Sequence, residues 1–151
     1  MADPVVLGIG NRDRGDDAVG LLVLDELAAR GLPGVDLMAG DGDPGWMLDA
    51  WEGRPCAVVV DAMVTGAAPG TVVSFDASST ALPSDARLSS SHALGAATSV
   101  ELARALGRLP KRLFVIGVEA GSVALGSSLS PAVATAVGLA ADAAMEVLAD
   151  A

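Results

Sequence analysis

The chain has 151 residues, enough for one domain with a sizeable core, and its 52% hydrophobic and 19% charged composition excludes a disordered polymer. Its formal net charge of −10 disfavours nucleic acid and anionic membrane surfaces as partners. Cys56 is the only cysteine, so neither an internal disulfide nor a cysteine-rich metal site can form, which fits a reducing cytoplasm.

Aromatic residues are 3% of the chain, so the core must be filled with Ala, Val and Leu. The apolar stretches read as too short for the roughly 20 residues of a membrane span. An N-terminus with Asp3 and Pro4 has no signal-peptide pattern. The expectation is a cytoplasmic protein that binds no membrane.

Pro4-Val5-Val6-Leu7-Gly8-Ile9 is a short continuous apolar run, as in a parallel strand covered on both faces. Gly10-Asn11-Arg12-Asp13-Arg14-Gly15-Asp16-Asp17 then turns the chain, and Val19, Leu22, Val23 and Leu27 follow at helical spacing until Gly31 and Pro33 stop them. A dinucleotide-binding turn would need a third glycine at position 13, where Asp stands. Two adjacent carboxylates at a helix start would also repel a pyrophosphate. The turn suits a cation or a proton.

Val35–Ala39 alternates as a second strand, and residues 40–45 are a dense turn signal before a short helix with Met47, Ala50 and Trp51 inward. Cys56–Asp61 is the clearest central strand and ends on a carboxylate. Thr71–Phe75 reads as a strand near an edge, and residues 76–91 as a long surface excursion. From His92 a helix runs with Ala93, Ala96, Ala97, Val100 and Ala103 on one face. Leu113–Val118 is another buried strand, ending at Glu119. Ser130-Pro131 opens a closing helix with Val133, Val137, Ala140, Ala144 and Val147 inward. This order, βαβαββαβα, predicts one three-layer α/β/α domain over residues 1–151, with a mostly parallel sheet of about five strands.

In such a sheet, ligands gather beyond the carboxyl ends of the strands. Asp16, Asp17, Asp41, Asp43, Asp61 and Glu119 all fall at that rim, and His92 starts a helix that can join them. Each has a plainer reading. Asp is a favoured N-cap, which accounts for one of Asp16 and Asp17 but not both. His92 can be a helix-start residue bonded to the serines before it. Asp61 resists a plain reading best, because an acid ending a run of three valines is costly unless solvated, paired or metal-bound. Two Asp and one His also form a ligand set for a borderline divalent metal such as zinc or nickel. Cys56 lies roughly 16 Å from that rim at about 3.3 Å per strand residue, and reads as a buried core thiol. No G-x-S-x-G nucleophile elbow occurs.

Leu7-Gly8-Ile9-Gly10-Asn11 with Gly15-Asp16-Asp17, then Val60-Asp61-Ala62, then Ser91-His92-Ala93-Leu94, resembles the [NiFe]-hydrogenase maturation endopeptidases. Ile116-Gly117-Val118-Glu119 and Ser130-Pro131 resemble that family's last strand and terminal helix. The resemblance implies an enzyme that removes a C-terminal extension from the hydrogenase large-subunit precursor after nickel insertion. It implies that Asp17, Asp61 and His92 recognise nickel and serve catalysis. Nickel would arrive on the precursor, the free enzyme needing none, and the enzyme would act as a cytoplasmic monomer. Many members carry Asp-Glu where this chain has Asp16-Asp17, and Asp-Gly-Gly where it has Asp41-Gly42-Asp43. The rival reading is a non-catalytic maturation chaperone that binds the metal-loaded hydrogenase.

Overall fold

The computed structural model describes residues 2–80 and 96–150. Five strands form one sheet: β1 (Val5–Ile9), β2 (Asp36–Gly40), β3 (Cys56–Met63), β4 (Val72–Asp76) and β5 (Arg112–Glu119). Their order is β2-β1-β3-β5-β4, with every neighbouring pair parallel except β4 against β5. Helices α1 (Val19–Arg30), α2 (Pro44–Trp51), α3 (Ala96–Ala105) and α4 (Pro131–Ala149) connect and cover the sheet. The predicted element order and the parallel α/β architecture are found as expected, and β4 lies at an edge.

Strand alternation divides the core in two. Val6, Val58, Val60, Ala62, Ile116 and Val118 face α1 and α4, whereas Val5, Leu7, Ala57, Val59, Leu113 and Val115 face α2 and α3. With successive side chains on opposite faces, Asp61 belongs to the Ala57 and Val59 face, on the side of α2 and α3. Cys56 is fully buried at the other end of β3, and burial pushes its thiol pKa up while Arg112 opposes the shift. It is a core residue, as the strand length predicts.

Three expectations need correction. β3 does not end at Asp61; pairing with β5 continues to Met63 opposite Glu119, so the acid sits inside the strand. β2 starts at Asp36 and runs to Gly40, held by its ladder to β1. The closing helix is long and apolar enough, by length and composition, to cross a membrane: it has 19 residues, with an 18-residue stretch at a mean hydropathy of 1.6. Its alanines account for this, because Ala136, Ala140, Ala141 and Ala144, with Val133, form the close-packed face buried on the sheet.

Candidate active site

β1 and β3 stay paired only as far as Gly8 opposite Val60. Beyond that point β1 bends away, and a single 3-10 turn, Gly15–Ala18, packs against β3 in its place. Two glycines permit this. Gly10 has φ +156°, and a Cβ there would stand 2.0 Å from the Asp17 carbonyl oxygen. At Gly20 a Cβ would come within 2.4 Å of the carbonyl oxygens of both Ile9 and Val60. The close strand–helix approach that a dinucleotide turn obtains from its third glycine is obtained here seven residues later. Gly20 is a residue that motif reading missed; its only signal is a glycine inside a helical run, a common mark of close packing.

The turn buries both carboxylates: Asp16 is 0% and Asp17 2% exposed. Successive residues of a 3-10 turn point about a third of a revolution apart, so the two acids diverge. Asp16 was the natural N-cap candidate, yet it caps nothing locally. Its Oδ2 accepts from the backbone N–H of Gly121 (2.6 Å) and Ser122 (3.1 Å) and from the Ser130 hydroxyl (2.6 Å), and its Oδ1 from the Ser130 N–H (2.7 Å). Burial alone would raise its pKa, but these donors outweigh burial and hold it below the usual carboxylate range.

Asp17 points the other way and lies close enough to Asp61 for its charge to act on that residue. Asp61 is 0% exposed. Burial first, and the Asp17 charge second, push its pKa well up, against one hydrogen bond from the Ala62 N–H to Oδ1 (2.8 Å). The other oxygen, Oδ2, is buried with no hydrogen-bond partner among the described residues. A buried, partly unsatisfied acid beside a second acid is unstable without a proton or a cation.

The remaining acids of the rim are tied to its loops. Glu119 accepts from the Thr65 hydroxyl (2.6 Å) and N–H (3.0 Å), anchoring the segment after β3. Asp43 caps α2 by accepting from the Trp46 N–H (3.0 Å), and Asp41 accepts from the Asp43 N–H (3.0 Å). Both line an open groove of about 580 Å³ with Gly10, Leu21, Ala39, Gly40 and Trp46, beside the ends of β1 and β2. A smaller depression of about 240 Å³, lined by Trp51, Glu52, Arg108 and Pro110 among others, lies at the amino ends of β3 and β5, away from the acids.

His92 lies outside the described residues, as do the serines before it and most of the long excursion. The chain enters α3 at the rim, where a Cβ on Gly42 would stand 3.2 Å from the Ala96 nitrogen and 3.4 Å from Ile9 Cγ2. Ser99 fixes that entry by donating to the Gly42 carbonyl (2.7 Å). Thus α3 begins on the face of the sheet to which Asp61 belongs. Among the described residues no three His, Cys, Asp or Glu side chains converge as a metal site; Asp17 and Asp61 are a pair.

The family profile described as HycI, hydrogenase maturation protease, matches residues 23–147. The chain belongs to the hydrogenase maturation protease family. The matched stretch contains Asp61 and begins after Asp17. Solved structures extend the likeness over the first turn. The hydrogenase maturating endopeptidase HybD from E. coli is 26% identical with a TM-score of 0.81, over 99% of this chain and 93% of that one. The [NiFe] hydrogenase maturation protease HybD from Thermococcus kodakarensis is 26% identical with a TM-score of 0.73, over 98% and 99%. HycI from Thermococcus kodakarensis KOD1 is 27% identical with a TM-score of 0.67, over 97% and 92%. No curated protein matches the chain. As a member of the hydrogenase maturation proteases, the chain is a protease of hydrogenase maturation.

Proposed function

We propose that this protein is a cytoplasmic, monomeric endopeptidase that removes the C-terminal extension of a [NiFe]-hydrogenase large-subunit precursor after nickel insertion. Asp17, Asp61 and His92 are the residues that meet the substrate-borne nickel. The observation that carries this reading is the buried Oδ2 of Asp61, without a hydrogen-bond partner among the described residues and beside a second carboxylate. A cation delivered with the precursor satisfies that oxygen and cancels the Asp17–Asp61 repulsion, and carboxylate with imidazole is a donor set that nickel accepts.

Recognition of the ion then becomes a test of whether the precursor is ready. The groove beside β1 and β2 offers a seat for the extended chain around the cleavage point. One of the two carboxylates takes a proton from water as it attacks the scissile carbonyl, and the proton passes to the departing amine. Substrate nickel next to the carbonyl would draw charge from it as a Lewis acid.

The test mixes the protein with large-subunit precursor, with and without nickel, and weighs the precursor by mass spectrometry. Loss of a C-terminal peptide only in the nickel-loaded sample is the expected result, abolished in D61A and H92A. Processing at the wild-type rate by either variant would overturn the assignment. Nickel-dependent binding with no change in mass would make the protein a chaperone instead.

A further inference from the structure

We propose that Asp16 is a positioning residue: its carboxylate, gripped by the segment that enters α4, holds the turn that aims Asp17 at Asp61. The inference rests on the reading of Asp17 and Asp61 as the nickel-facing pair.

Within itself the turn is held by main-chain bonds, from the Arg14 N–H to the Asn11 carbonyl, the Asp17 N–H to the Arg14 carbonyl and the Asn11 N–H to the Asp17 carbonyl. Neither it nor α1 has a side-chain cap, and the residue at its N-cap position, Arg14, makes no capping bond. Yet Asp17 sits beside a second buried carboxylate, an arrangement that mutual repulsion works to open. A tie that opposes this opening comes from residues 105 to 114 positions away in sequence.

That tie is built at three points. The Asp16 carboxylate takes the N–H groups of Gly121, Ser122 and Ser130 and the Ser130 hydroxyl. The Asp16 N–H donates to the Ser122 carbonyl (2.8 Å), and the Gly126 N–H donates to the Asp13 carbonyl (2.7 Å). Ser130 joins the tie to a rigid body, because its carbonyl accepts the Ala134 N–H (2.9 Å) of the first turn of α4. Helix α4 in turn packs on α1 through the buried cluster that contains Val19, Val23 and Leu27. The turn is thus held at its C-terminal end by α1 and at Asp16 by α4. Removing the Asp16 carboxylate takes away the four side-chain bonds that fix the turn to the α4 side and leaves the main-chain bonds to Ser122 and from Gly126.

Cobalt(II), added alone, is the probe, with calorimetric titration of wild type, D16N, S130A and S130T and thermal unfolding of each beside it. D16N turns an amide toward donors and releases the turn; we expect cobalt affinity to fall by about tenfold or more, the scale of losing a group that orients a ligand. S130A deletes one of the four bonds and should fold readily, with a drop of about threefold, below the range for losing the whole orienting group. S130T keeps the hydroxyl and should bind as wild type does. Variants that melt earlier but bind cobalt as tightly as wild type would overturn the proposal, leaving Asp16 a purely structural anchor; so would a wild-type protein with no cobalt affinity. The functional reading fails on a different result, a nickel-loaded precursor left uncut by wild type, whatever the cobalt affinities.

Discussion

Two buried carboxylates a short way apart on the same rim show opposite treatment. On the α4 side, Asp16 is surrounded by donors on both oxygens and held in its ionised form. On the β3 side, Asp61 has one donor, a neighbouring charge and a raised pKa. Both are closed to solvent, but Asp61 lies deeper; depth sets the penalty for a charge, and the neighbours decide whether that penalty is met. The first region stabilises the fold, and the second keeps an unmet demand for a proton or a cation.

The largest effect should come from the demanding side. D61A should lower processing of nickel-loaded precursor by about 10³-fold, within the range for losing an acid–base group, measured by mass spectrometry over time. The largest stability effect should come from the other side. D16N should cost about 3 kcal/mol in denaturant unfolding, because charge-assisted bonds are lost and buried N–H groups are left without acceptors.

A stronger test of the contrast replaces Asp61 by its neutral isostere. D61N keeps an acceptor for the Ala62 N–H and turns an amide N–H toward Asp17. It should raise stability at neutral pH by about 1–2 kcal/mol while abolishing processing. A loss of stability in D61N would break the comparison.

The pH profiles should also diverge. Asp16 has a folded pKa below its ordinary 3.8, so its stabilisation is complete above that value and is lost as pH falls through the folded pKa. Asp61 has a folded pKa well above 3.8, so it favours the fold when protonated. Its contribution declines as pH rises from 3.8 to the folded pKa and is flat beyond. D16N should flatten the acid limb of the unfolding curve, and D61N should remove the decline at higher pH. The smallest effect expected is S130T, within about 0.5 kcal/mol of wild type, since the donor is retained.

The elements were legible because apolar periodicity and turn residues are local signals. Gly31 does end α1, with φ +68°, and Met47, Ala50 and Trp51 do face inward from α2. Asp61 was legible for the same reason, as an acid among valines that local composition cannot explain. The role of Asp16 was not, since its partners are assembled only when α4 docks. The overshoot of β3 to Met63 was equally hidden, because it depends on β5 continuing beside it. The alanine-rich face of α4 misled on length and apolarity: small side chains read as weakly hydrophobic in sequence but allow close packing on a sheet.

Past Val60, β3 has lost β1 as a neighbour, and the Ala62 N–H is taken up by the side chain of Asp61. Asp61 therefore substitutes for a missing strand as well as standing beside a second acid. An alanine at this position does two kinds of damage at once, leaving a main-chain donor stranded and removing an acid. An inactive D61A sample is then ambiguous by itself, whereas the asparagine variant repairs the backbone and removes only the chemistry. For this rim, the choice of replacement decides which question a mutagenesis experiment answers.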